Sequence, residues 1–410
     1  MAKEKRKDKK GYALRTGECQ RADGRYSYSY TDRFKQRHTV YAKSLVELRE
    51  REKQIRMDMD QGIDPNAANK YTVNDVFDRF ISRKYDIKPT TRAKYYFDYD
   101  HYVREGFGKQ KIGKVHYTDV KKFYYDLLKV TGIAPGTLDG VNTVLHSTFS
   151  TAVRDEIIKS NPTEGVMAEI KKSDLWVRPK RHALTAPQQK KLMDFLKDNH
   201  QFSGWLPIIT VLLGTGMRIG ECLGLRWEDI DLENRTITVD HNLVEYKDKE
   251  LDKVVYRIQT PKTRAGSRMI PMIDEVYEAF IMEFEFQEAI GFCEEEIDGY
   301  SGFIFSTDEG KLLRRAPVNN AIHRIVDIHN EEEEQKASEE GREPVLIPQF
   351  TAHQLRHTFC TRFCENETNL KVIQEIMGHA DITTTMDIYA EATQEKKQEV
   401  MANLQGKIFK

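Results

Sequence analysis

The chain has 410 residues, with 39% hydrophobic and 31% charged, which suits two to four globular domains at roughly 150 residues each. No apolar run approaches the ~20 residues of a membrane span, and the opening MAKEKRKDKK has no apolar segment behind it, which excludes a secretory signal. Five cysteines, an odd number, argue against a disulfide framework and suit a reducing cytosol, so a cytoplasmic protein with no membrane partner is expected.

The net charge of −1 conceals an asymmetry. Residues 1–70 carry +7, residues 71–180 carry +5 and residues 181–410 carry −13. The first 43 residues alone carry +8, which fits either a polyanion partner or a solvated basic tail. Two acidic segments, 283–298 with −7 and 331–343 with −5, supply most of the C-terminal acidity and are expected to form a solvated surface.

In chain order, Tyr12 to Leu14 reads as a first strand and Asp23-Gly24 as a turn. Residues 25–30 alternate strictly, with Tyr26, Tyr28 and Tyr30 on one face and Arg25, Ser27 and Ser29 on the other. Thr39 to Tyr41 reads as a third strand. Ser44 can cap the helix that follows, with Glu47 as its capping-box partner. A small sheet needs its bulk inside, so the tyrosines should pack on that helix and leave the Arg25 face for a partner; such a β-ribbon fits the DNA major groove.

Residues 61–70 form a linker. From 71 to 170 the pattern is helical, with starts at Thr72 or Asn74, at Pro89, at Thr118 and at Pro135, the last helix closing at Asn161-Pro162. A second, basic linker spans 171–182. Helices are then expected over LTAPQQKKLMDFLK and about 205–216, with strands at Thr236–Val239, at Val255–Gln259 and at Met269–Pro271, the last two around a Lys-Thr-Arg-Ala-Gly turn. The remainder is helical except Phe303-Ile304-Phe305 and the acidic insert at 331–343. The fold class expected is therefore multidomain. A small α+β domain, three strands and a helix, covers 1–65. An all-α bundle covers 71–170. A mainly α domain with a small β-sheet or hairpin covers 183–410.

No GxxxxGK[ST] loop is present, so ATP chemistry is not expected. Cys360 and Cys364 lack a second pair and read as buried helix cysteines. His353-Gln354-Leu355-Arg356-His357 places His353 and His357 on one helix face with Arg356 beside it. Gln354 stands where a zinc hydrolase would need its glutamate, and an arginine there repels a cation and attracts an oxyanion, so the segment is either structural or a phosphate or carboxylate site. Arg218 opens a helix with Glu221 one turn later to orient it, Lys262 sits on a turn, His379 sits at a helix–turn junction, and Tyr389 follows ten residues later.

In this order the boxes TGMRIGECLGLRWEDID, TPKTRAGSRMIPM, HQLRHTFCT and MGHADITTTMDIYA resemble the tyrosine recombinase (phage-type integrase) family. GYALRTGECQRADGRYSYSYTD with VYAKSLVELREREKQI looks like the arm-site DNA-binding domain of integrases from conjugative transposons, and 71–170 resembles the family's core-binding bundle. The resemblance implies a metal-free, cofactor-free enzyme that excises and integrates a mobile element, with double-stranded DNA (core and arm sites), the other protomers of a tetramer and a small excision factor as partners. It implies that Arg218 and Arg356 clamp the scissile phosphate, that Tyr389 attacks it to give a 3′-phosphotyrosine, that His353 accepts the proton, that Lys262 is the general acid and that His379 hydrogen-bonds the phosphate. Arg21, Arg25 and Tyr41 match the arm-contact pattern. Arg264 is a second cation on the Lys262 turn, and Glu391 stands where many relatives carry a histidine. The tail carries Val400, Met401 and Leu404 on one helical face, for packing on its own domain or on a neighbouring protomer. A prophage integrase shares the chemistry; an inactive DNA-binding regulator is opposed by the complete residue set, and a zinc hydrolase by Gln354 and Arg356.

Overall fold

The computed structural model describes residues 6–31, 35–60, 70–177, 183–261, 264–383 and 385–386. Lys262, Tyr389 and the tail with Val400, Met401 and Leu404 lie outside them. The chain divides into two compact units, Met1–Pro179 and Lys180–Lys410. Among the described residues no helix is long and apolar enough to cross a membrane.

The first unit opens with an antiparallel sheet, β1 (Glu18–Gln20), β2 (Tyr26–Thr31) and β3 (Arg37–Ala42), followed by α1 (Leu45–Asp60). Tyr26, Tyr28 and Tyr30 are buried with Leu48 and Ile55 of α1, as the alternation requires. Ser44 caps α1 by accepting from Glu47 N at 3.2 Å, while the Glu47 carboxylate accepts from Lys43 N. Two expectations fail. Tyr12 to Leu14 is not a strand but part of a turn wound around Asp8, whose carboxylate accepts from Lys10 N, Tyr12 N and Tyr26 Oη. Ser27 is buried rather than presented to a partner, because β2 is the central strand and its hydroxyl donates to Cys19 O.

The rest of this unit is helical: α2 (Val73–Ser82), α3 (Pro89–Tyr102), α4 (Tyr117–Lys129), α5 (Pro135–Arg154) and α6 (Val166–Ile170). Their apolar stripes form one core around Phe77, Tyr99, Tyr124 and Phe149. Thr72 and Asp75 form the capping box of α2, whereas Asn74 lies inside the helix and accepts from Tyr99 Oη. α4 starts at His116, not Thr118, because the Asp119 carboxylate caps His116 N. α5 ends at Arg154, seven residues before Asn161, which instead bonds His146, Ser150 and Thr163.

The second unit is mainly α. α7 (Ala186–Asp198), α8 (Leu206–Thr215) and α9 (Ile219–Gly224) precede a small sheet of β4 (Ile230–Asp231), β5 (Thr236–Val239) and β8 (Arg268–Pro271), with a separate pair β6 (Asn242–Asp248) and β7 (Lys253–Gln259). The strands flanking the Lys262 turn therefore do not form a hairpin with each other: β7 pairs with β6 and β8 with β5. Then come α10 (Asp274–Ile290), α11 (Arg315–Glu340), α12 (Ala352–Asn366) and α13 (Leu370–Met377). α8 is buried almost all round and is the axis of this core.

Both acidic segments are mostly solvent-exposed, as expected, but each buries one glutamate. α11 runs through the supposed insert to Glu340, since Glu, Gln, Lys and Ala are strong helix formers. Its Glu333 is buried and accepts from Lys191 Nζ at 3.1 Å, Arg342 and Val345 N, so it anchors the insert. In the other segment Glu283 of α10 is only 7% exposed, and burial pushes its carboxyl up to about 7. The folded chain thus holds a proton that the unfolded chain has released between pH 4.5 and 7, so stability falls as pH rises through that window. Measured by urea denaturation as wild type minus Glu283→Gln, which cancels the other titrating groups, stability should fall by ~3 kcal/mol across it.

Candidate active site

α8 stops because Gly216 takes a left-handed φ of 62°; a Cβ there would lie 2.3 Å from Phe359 Cδ1. Arg218 follows in extended conformation as the N-cap of α9, and its backbone N donates to Glu221 Oε2 at 3.0 Å. The side chain turns back so that Nη1 donates to Glu221 Oε1 at 2.7 Å and Nη2 to Gly378 O at 3.3 Å. Glu221 orients Arg218, as its spacing suggested.

α12 starts at Thr351, which forms a capping box with Gln354. Gln354, which spoke against a zinc hydrolase, is thus a helix cap. One turn on, Arg356 is 4% exposed and donates to Gly216 O and Met377 O, both at 2.6 Å. These two carbonyls close α8 and α13, so the guanidinium sits on the partial negative charge of two helix C-termini. α13 ends at Gly378, again with φ of 62°, and delivers His379. The His379 ring pairs through Nδ1 with Thr385 Oγ1 at 2.9 Å, and its backbone O accepts from Gln374 Nε2.

These residues enclose a cleft of about 330 Å³ lined by Arg218, His353, Arg356, His357, Met377 and His379, with Ala380 and Asp381 completing its wall. Behind it Glu221 is shared by two guanidiniums, since Arg268 of β8 also reaches Glu221 Oε2 at 2.9 Å. Burial, then the neighbouring Arg218, lowers the Arg356 guanidinium to about 9, so it remains charged at neutral pH. Burial, then Arg356, Arg218 and Arg268, lowers His379 to about 4 and keeps it neutral there. Burial opposes ionisation of Glu221, but Arg268 and Arg218 outweigh it and hold the carboxyl below its ordinary range. The result is a preorganised cationic pocket with a neutral imidazole, suited to a phosphodiester whose charge grows during reaction.

The structure brings together Arg218, Glu221, His353, Arg356 and His379 from three separate boxes. Arg21, Arg25 and Tyr41 form another group, on the N-terminal sheet. Arg21 donates to Tyr41 Oη at 3.2 Å and lies over its ring, as Arg25 does at 6.0 Å, and Arg25 is also paired with Asp23. Sequence reasoning missed Arg268 and Thr385. Both stood inside the quoted boxes, but only tertiary pairing shows what they touch. Among the described residues Asp229, Asp240 and His241 lie close enough for a metal, yet Arg226 occupies Asp229 at 3.1 Å and His241 Nε2 bonds Gly224 O. Cys360 and Cys364 are buried in a small cluster with Ile373 and Met377.

A model of the Phage integrase family matches residues 182–396, and one described as the DNA binding domain of tn916 integrase matches residues 2–59. The transposase from transposon Tn916 of Enterococcus faecalis is 32% identical over 406 residues, 95% of this chain and 94% of that protein. The Tn1549 transposon integrase, solved in complex with transposon right end DNA, is similar with a TM-score of 0.69 and 29% identity, covering 82% of this chain and 100% of that one. A lambda integrase dimer bound to a core site shares the fold at a TM-score of 0.52 and 16% identity, covering 92% of this chain and 95% of that one. With one family model spanning the unit that holds the arginine pocket and a transposase alignment running almost end to end, the chain belongs to the phage integrase family and is a tyrosine-type site-specific recombinase.

Proposed function

We propose that the protein is the integrase of a conjugative transposon and that it cuts and rejoins DNA through Tyr389. The observation that carries this reading is the Arg218–Arg356 pair, held by Glu221 and by helix-terminal carbonyls in an open cleft beside His379. Two guanidinium forks suit the non-bridging oxygens of a phosphodiester. The Tyr389 oxygen attacks phosphorus, the bond to O5′ breaks, and a 3′-phosphotyrosine forms beside a free 5′-hydroxyl. His353 takes the phenolic proton and Lys262 supplies one to O5′. The covalent link conserves the bond energy, so the reverse attack by a second 5′-hydroxyl rejoins strands without ATP, through a Holliday junction.

In this reading 183–410 is the catalytic domain, 71–170 grips core DNA, and 1–65 binds arm sites through Arg21, Arg25 and Tyr41. It acts as a tetramer on DNA in the bacterial cytoplasm, at the nucleoid, with a small factor assisting excision. The tail beyond Tyr389 docks on a neighbouring protomer. The test is a nicked suicide duplex carrying the element end, incubated in EDTA. A protein–DNA adduct stable on a denaturing gel, with the phosphoryl group mapped to Tyr389 by peptide mass spectrometry, is expected. Tight, salt-sensitive binding to that duplex without an adduct would replace this reading with that of a DNA-binding regulator.

A further inference from the structure

Arg268 has no part in the reaction proposed above, yet all three of its guanidinium nitrogens are bonded within the protein. Its side chain is 6% exposed. Nη2 donates to Glu221 Oε2 at 2.9 Å, Nε to Ile376 O at 2.7 Å and Nη1 to Gly266 O at 3.2 Å. It therefore ties β8 to the carboxylate that orients Arg218 and to the last turn of α13, which delivers His379. The approach is close enough that a Cβ on Gly378 would lie 2.9 Å from Arg268 Nη1.

We propose that Arg268 is a positioning residue for the phosphate chemistry: it offsets the buried Glu221 charge so that Arg218 stays available to the DNA phosphate, and it fixes the turn carrying His379. The inference rests on the recombinase reading above. Glu221 Oε2 accepts from both Arg218 N and Arg268 Nη2, and Oε1 from Arg218 Nη1. Without Arg268, Arg218 alone would balance a desolvated carboxylate, and phosphate and carboxylate would compete for one guanidinium. That competition costs most in the transition state, where the phosphorane carries an extra negative charge, so the loss falls on the rate rather than on DNA affinity.

The test is single-turnover cleavage by the full-length protein on the nicked suicide duplex. It uses an ordinary scissile phosphate and a methylphosphonate, in which a methyl group replaces one non-bridging oxygen and removes its charge. Arg268→Gln should cut ~100-fold more slowly on the phosphodiester with DNA affinity within ~3-fold, and the deficit should shrink to ~10-fold or less on the methylphosphonate. Arg268→Lys keeps the charge and should regain part of the rate; if the Gln variant does not fold, the Lys variant is compared on the two substrates instead. Equal deficits on both substrates, a loss explained entirely by weaker DNA binding, or no loss would overturn the proposal. Failure of the wild type to form any adduct would instead overturn the recombinase reading.

Discussion

Tyr389→Phe is expected to remove all covalent adduct, a fall of at least ~10⁴-fold in cleavage, while DNA affinity stays within ~3-fold. In the proposed reaction the phenolic oxygen is the atom that bonds to phosphorus, and phenylalanine preserves the ring without it. Two other strong nucleophiles on α12, Cys360 and Cys364, are buried in a packed cluster with Ile373 and Met377. The proposed phosphate-binding groups, Arg218, Arg356 and His379, are held by Glu221, Gly216, Gly378 and Thr385, and none of those bonds involves Tyr389. Filter binding and a denaturing gel on the same samples separate the two quantities. Residual adduct in the variant would move the nucleophile to another side chain.

Arg356→Gln should lower cleavage by ~10³-fold and also destabilise the protein by ~3–5 kcal/mol. Few substitutions are expected to do both. Arg356 donates to Gly216 O and Met377 O, two helix-terminal carbonyls that its loss would leave buried without their charged donor. The same guanidinium faces the cleft beside Arg218. Glutamine retains a donor but no charge, so it cannot compensate two helix C-termini or a phosphorane. Urea denaturation and single-turnover cleavage at a temperature where the variant remains folded measure the two losses separately. A rate loss without a stability loss would show that the carbonyl contacts are dispensable.

Much of this was readable in the sequence, for reasons that differ from element to element. Tyr26, Tyr28 and Tyr30 alternate without exception, and burial of that face follows from the period alone. Arg218 and Glu221 stand three residues apart at a helix start, where a carboxylate both caps the backbone and orients the guanidinium. Arg356 and His379 were legible as boxes but not as geometry. That Arg356 spans two helix ends depends on carbonyls, which no side-chain pattern reveals. Arg268 was invisible as a participant because its partners, Glu221 and Ile376, lie 47 and 108 residues away. In the acidic insert the density of charge masks a strong helix propensity. Val326, His329, Glu333 and Ala337 continue the buried stripe of α11 at helical spacing, and Glu333 is admitted to it only because Arg342 and Lys191 meet it there.

The paired arginines are completed by contacts far apart in the chain: Arg356 reaches back 140 residues to Gly216, and Arg218 reaches forward 160 residues to Gly378. A chain still emerging from the ribosome has Arg218 long before it has Met377, Gly378 or His379, and lacks the carbonyls and the imidazole that complete the pocket. An interrupted or clipped polypeptide ending short of Gly378 therefore retains the basic N-terminal sheet and helical bundle but no assembled phosphate clamp. On the proposed chemistry, strand-breaking competence waits until Gly378 and His379 have been made, and partial products that stop earlier lack it.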